Sequence, residues 1–178
     1  MENQTLAFAE RTLRDHLALL PEGWGRNFEI ATGLSGGGKA RFTGSTPGNV
    51  LLGVYDYLRA IGFVFLYPGK GGTYVPDLRK PEDLEAEKKD FTASYAHRGI
   101  CIEGADSLEE TLDFIDWLPK NGFNAFFLQF QKPDIFFERW YLHTYNPSLP
   151  PEALTRQQLD GLDRQVEEAM ALRGIRCH

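Results

Sequence analysis

Leu6, Ala9, Leu13, Leu17 and Leu20 recur at steps of three and four, the spacing of one helix face, and Pro21-Glu22-Gly23 ends the run. Asn27–Thr32 (NFEIAT) then alternates as a strand does, and Lys39–Gly44 is a weaker strand. Thr46-Pro47 opens a second helix, because Thr46 suits the cap and Pro47 the first helical position. Val50, Leu51, Val54, Leu58 and Ile61 form its apolar face, and Gly62 is the stop. Phe63–Tyr67 and Thr73–Val75 predict two strands around a Pro-Gly turn. Residues 1–76 therefore read α-β-β-α-β-β, a small α+β sandwich domain.

Asp77–Asp90 (DLRKPEDLEAEKKD) carries ten charged residues in fourteen and predicts a solvated linker. The pattern changes in residues 91–178. A strand is expected over 96–103. Ser107 and Glu110 are spaced as a capping box, followed by Leu108, Leu112, Ile115 and Leu118 on one helix face, with Asn121-Gly122 as the end. Asn124–Phe130 (NAFFLQF) predicts a second strand, and a long aromatic segment runs from there to Pro151. Thr155 and Gln158 are spaced as another capping box, before Leu159, Leu162, Val166 and Met170. Gly174 ends that helix and Ile175–His178 begins a third strand. The order β-α-β-α-β implies parallel strands joined by right-handed crossovers. A closed (β/α)8 barrel takes about 250 residues, so the expectation is an incomplete barrel, the front end of a longer protein, with an open sheet edge through which copies can self-associate.

Charge and composition narrow the function. Hydrophobic residues make up 42% of the chain, enough for a packed core, and the net charge of −6 with no basic run argues against a nucleic-acid surface. The N-terminal helix is interrupted by Glu10, Arg11, Arg14 and Asp15, so it lacks the apolar stretch of a signal peptide. No window approaches the roughly 20 apolar residues of a membrane span. A cytoplasmic protein without a membrane partner is the simplest expectation, although a native leader could precede these residues. Cys101 and Cys177 form no CxxC and are expected as buried, reduced thiols.

Gly33–Ala40 (GLSGGGKA) matches the phosphate-loop pattern except at its last position, where Ala40 stands in place of a magnesium-holding hydroxyl. A strand pattern follows where a helix N-terminus should face phosphate, so a turn between strands is the better reading. His16, His97, His143 and His178 are scattered without HExxH spacing, and no metal or cofactor is expected. No G-x-S-x-G is present. Phe126, Phe127, Phe130 and Phe136 read as core. Trp140, Tyr141 and Tyr145 also read first as core, but they lie beyond the second strand, on the side where parallel β/α folds bind ligands, so stacking on sugars is the alternative for them. Arg98, Glu103, Gln129, Gln131 and His178 are the polar groups on or beside the strands; Arg98, Glu103, Gln129 and His178 are the candidate substrate contacts, with internal pairing of Arg98 and Glu103 as the structural alternative. Arg98 and Glu103 are five apart, so a regular strand points them to opposite faces; Gly99 and Gly104 permit an irregularity that brings both to one cleft.

These segments, in order, resemble the front end of a group of glycoside hydrolases that includes family 20 β-hexosaminidases and family 67 α-glucuronidases. GSTPGNVLLGVYDYLRAIGFVFLYPG, through Gly44, Gly53, Tyr55, Asp56, Leu58, Gly62 and Pro68, is similar to the small α+β domain that precedes their barrel. HRGICIEG resembles their first barrel strand, NGFNAFFLQF the second and IRCH the start of the third. The resemblance implies a carbohydrate-active TIM barrel acting on an oligosaccharide or glycoside. Arg98 would bind the sugar in the cleaved position, with Glu103 in place of the more usual Asp. It also implies catalytic carboxylates on later strands, so that this chain contributes substrate contacts, needs the remainder of the barrel and is inactive alone. Glycoside hydrolysis needs two flanking carboxyl groups or a substrate group; no such pair is identified here, and Asp113 and Asp116 are expected on an outward helix face, in solvent. The alternative is a non-catalytic carbohydrate-binding or assembly module.

Overall fold

The computed structural model describes residues 2–20, 30–32, 40–84, 90–102, 106–128 and 133–178. Helix α1 (Glu2–Leu17) buries Ala9, Leu13 and Leu17, with Leu20 just beyond, as its spacing predicts. It packs on α2 (Pro47–Ala60), which starts where Thr46 leaves extended backbone and its hydroxyl accepts the Asn49 N–H. Val50, Leu51, Val54, Tyr55 and Leu58 face α1, and Gly62, at φ +104°, takes the chain away from the helix. Strands β1 (Ile30–Thr32) and β2 (Ala40–Phe42) pair in parallel, while β3 (Val64–Phe65) and β4 (Thr73–Tyr74) pair antiparallel. The described strands here are two separate two-stranded sheets. Ala40 opens β2 and not a helix, so the glycine run lacks the helix N-terminus a phosphate loop requires; residues 33–39 lie outside the described residues.

Aromatic rings close this first core. His16 meets Tyr55, Phe63 and Phe65 edge-on, with ring centroids 6.1, 5.6 and 5.6 Å away. Its Nδ1–H donates to the Thr12 carbonyl over 2.7 Å, and burial holds its pKa below the usual value, so the ring stays neutral. The charged stretch is less detached than its composition predicts. Leu84, in a 3-10 turn at Pro81–Leu84, is buried in the first core, and the Tyr57 hydroxyl donates to its carbonyl over 2.8 Å.

The second half supplies β5 (Gly99–Ile102), α3 (Leu108–Lys120), β6 (Ala125–Leu128), α4 (Pro133–Tyr141), α5 (Arg156–Arg173) and β7 (Arg176–Cys177). The three strands form one parallel sheet in chain order, with Gly99, Ala125 and Arg176 in register and Ile100, Phe126 and Cys177 one step on. Helix α4 was not expected. The steps Phe136, Phe137, Trp140, Tyr141 are helical spacing hidden in an aromatic run, and the structure buries Phe136 and Phe137 against each other at 5.2 Å. Thr155 and Gln158 form both halves of a capping box, and Gly174 ends α5 in the left-handed region at φ +64°. Ser107 forms only half of one: its hydroxyl accepts the Glu110 N–H, but its own N–H donates to Asp106 Oδ1 over 2.7 Å.

The two cores meet around α3 and α5. Arg173 of α5 donates to Asp116 of α3 over 2.7 Å and lies over the Phe8 ring of α1, its guanidinium carbon 4.8 Å from the centroid. Thr5 donates to the Ala171 carbonyl, and Trp117 and Asn121 both donate to the Phe65 carbonyl. A Cβ on Gly174 would stand 2.8 Å from Gly48 Cα, so glycines let α5 and α2 touch. Asp116 is thus a half-buried joint and not the solvated carboxylate expected from sequence. Burial raises its pKa, but Lys120 and Arg173 outweigh that and hold it below the usual aspartate value. Stability from this group is present above the ordinary aspartate range and is lost as pH falls through its lowered pKa. Replacing Asp116 by Ala is expected to cost about 1–2 kcal/mol at pH 7. Urea unfolding of both proteins across pH 3–7 checks this, because the difference should shrink toward pH 3.

Candidate functional site

The sheet β5-β6-β7 has two unlike faces. Ile100, Ile102 and Phe126 point into the second core with Ile115, Leu118, Phe136, Leu159, Val166 and Met170 of α3, α4 and α5. Alternation sends Gly99, Cys101, Phe127, Arg176 and His178 to the other face. All five are exposed. Phe127 is 44% exposed, against the expectation of a core residue, whereas Phe126 and Phe136 are buried as expected. Phe130 lies outside the described residues. The cysteines also depart from expectation: both are exposed and neither is in a disulfide. Cys101 stands on the open face because its parity is that of Gly99. At Gly99 the two strands leave no room for a side chain; a Cβ there would stand 2.8 Å from the Ala125 carbonyl oxygen.

His97 and Arg176 build the polar part of this face. Arg176 Nη1–H donates to His97 Nε2 over 3.0 Å, which leaves the His97 proton on Nδ1. The His97 and His178 rings lie 4.7 Å apart between centroids, tilted by 35°. Two imidazoles and a guanidinium thus share the open face beside Cys101 and Phe127.

The four candidate contacts fare differently. Arg98 is held at the N-terminal end of the sheet: its N–H donates to Asn124 Oδ1 (2.9 Å), its Nε to the Gly122 carbonyl (2.9 Å) and its Nη1 to the Tyr95 carbonyl (2.7 Å). Its own carbonyl accepts from Asn124 and Ala125, and Asn124 Nδ2 donates to the Ala96 carbonyl. These bonds tie the start of β5 to the α3–β6 turn, at the end opposite to that where parallel β/α folds bind ligands. His178 lies on the open face. Arg98 and His178 are therefore not brought together, and Glu103 and Gln129 lie outside the described residues. His97 and Arg176 were overlooked by sequence reasoning. The available signal was parity: in HRGIC, it is His97 and not Arg98 that shares a face with Gly99 and Cys101.

Beyond the sheet, Tyr145 is 87% exposed and Trp140 is partly exposed, while Tyr141 packs against the second core. Asp106 follows β5 and is only 7% exposed. Burial and a hydrogen bond with Glu110 push its pKa up to about 6, against the lowering effect of the Ser107 N–H. Among the described residues, no group of His, Cys, Asp and Glu is placed to hold a metal ion, and no helix is long and apolar enough to cross a membrane. No family model, curated protein or solved structure matches the chain.

The raised Asp106 pKa carries a sign. The folded protein binds this proton more tightly than the unfolded chain does, so the contribution falls as pH rises from about 4 to about 6 and stays low above that. Asp106→Asn keeps an oxygen for the Ser107 N–H and removes the ionisation. It is expected to stabilise the protein by about 1 kcal/mol at pH 7.5 and to leave a difference near zero at pH 4. Thermal unfolding of both proteins at the two pH values measures it.

Proposed function

We propose that the chain is the front part of a carbohydrate-active glycoside hydrolase, with β5, β6 and β7 as the first strands of a β/α barrel and their open face turned to the substrate. One observation carries this reading: three parallel strands lie side by side in chain order, with their helices packed on one face and polar side chains on the other. Doubly wound sheets place helices on both faces. A barrel wall keeps helices outside and points its other face inward. The ordered likeness of HRGICIEG, NGFNAFFLQF and IRCH to barrel strands supports the same reading. In it, His178 contacts the sugar, Phe127, Trp140 and Tyr145 offer rings to its apolar faces, and Arg98, with His97 and Arg176, lies toward the N-terminal end of the sheet, where it fixes the start of the first strand. Glu103 and Gln129 directly follow β5 and β6 in sequence and remain substrate contacts. The catalytic carboxylates belong to further strands, as in the enzymes it resembles.

The exposed phenylalanine and the open sheet edges favour a second reading, a non-catalytic sugar-binding or assembly module. Calorimetry of the 178-residue chain against a panel of neutral and acidic oligosaccharides, with aryl-glycoside assays alongside, tests the first. Binding without turnover is expected. Turnover by these residues alone, or no binding to any sugar, overturns it. Light scattering that shows concentration-dependent dimers without sugar binding moves the weight to assembly.

A further inference from the structure

We propose that the His16 ring is a proton-operated release for the seam between the two cores: when it takes a proton, α1 and Phe65 let go of α3 while each core stays folded. The proposal concerns the fold and does not rest on the carbohydrate reading.

Phe65 is the residue that both sides of the seam share. Its ring meets the His16 ring of α1 at 5.6 Å between centroids, and the Lys120 ammonium of α3 lies 5.7 Å from the same centroid. Its carbonyl accepts from the Trp117 indole over 3.1 Å and from Asn121 Nδ2 over 3.2 Å. One residue of β3 thus joins the His16 contact to the bonds that tie α3 to the first core. Tyr55 of α2 and Phe63 close on the same imidazole. Its Nδ1–H is already given to the Thr12 carbonyl, so an added proton goes to Nε2, which meets no protein partner among the described residues.

The groups around the ring decide what that proton does. On α1 they are the Thr12 carbonyl and Asp15, and on α3 Asp116 and Lys120. On α2 the Tyr55 hydroxyl stays protonated because burial raises its pKa, and Arg59, paired with Asp56, reaches the seam at the Lys120 carbonyl. Phe63 and Phe65 bring only rings. The Thr12 carbonyl and the two aspartates favour imidazolium, but Asp116 is already shared by Lys120 and Arg173. Burial is the largest effect, and with Lys120 it holds the His16 pKa below the usual value. The neutral ring therefore suits the closed seam and the cation does not. Opening takes Lys120 away and frees Phe65 to move, which lets water reach the ring and returns its pKa toward the ordinary value of about 6.5. The open form then binds the proton more tightly than the closed form. Its population rises by up to about tenfold for each pH unit below the ordinary histidine value, and levels off once the closed form also takes the proton. This window begins well above that in which Asp116 loses its charge, so the two acid effects separate.

The test reads two signals from the 178-residue chain by NMR between pH 7.5 and 4.5. One is the titration of the His16 ring. The other is hydrogen exchange of the Trp117 indole N–H, taken as a ratio to the rate in His16→Phe at the same pH, so that the intrinsic pH dependence cancels. A His16 midpoint below the ordinary value is expected, with a ratio that grows by up to about tenfold per pH unit while the Leu58 and Val166 amides stay protected. Lys120→Met keeps the Asp116–Arg173 pair and the stem over Phe65. It should raise the His16 midpoint and slow the exchange of Trp117 at pH 5, and it replaces His16→Phe as the reference if that variant does not fold. A midpoint at or above the ordinary value, or a ratio that stays flat, overturns the release. Loss of Leu58 protection in step with Trp117 also overturns it, because the first core then unfolds as a whole.

Discussion

The Asp116–Arg173 pair is the joint on which the arrangement of the two cores depends. Helix α3 buries Ile115 and Leu118 against the sheet, so its remaining side can meet the first core only through polar groups. Asp116 fills that side, and Arg173 reaches it from the last turn of α5 while stacking on Phe8 of α1. One guanidinium thereby ties three helices. A half-buried carboxylate is tolerated here because two cations and directed hydrogen bonds offset its desolvation. Around it, the Trp117 and Asn121 bonds to Phe65 and the Gly48–Gly174 contact set the distance between the two halves.

With that joint made, the helices of the second half are all engaged on one side of the sheet. Parallel sheets are ordinarily covered on both faces. Here, among the described residues, the second face carries imidazole, guanidinium, thiol and a phenylalanine ring. The start of β5 is tied down where the face begins: six hydrogen bonds made by Arg98 and Asn124 hold it, five of them to the α3–β6 turn and the start of β6.

The elements were largely legible. The Leu6–Leu20 spacing, the Thr46 cap, the Gly62 and Gly174 stops and the three β/α strands all rest on local rules whose physics is complete within a few residues. Helix α4 was hidden because aromatic residues pack equally well in strands, cores and helices, and only burial of Phe136 and Phe137 decides. The Ser107 box was half right because Asp106, one residue earlier, competes for the same N–H. Arg98 stood out as a charge on a strand, yet its donors are used by nearby carbonyls, which no spacing rule announces.

By itself, then, the sequence determined where helices and strands form, since capping, turn chemistry and hydrophobic period act over three or four residues. It also determined that three strands would run parallel, because crossovers of this length permit little else. Only the tertiary structure decided which charges meet. Asp116 and Arg173 are 57 residues apart, and His97 and Arg176 are 79 apart. Such pairs depend on strand register and helix contact, where a shift of one residue turns a side chain to the opposite face.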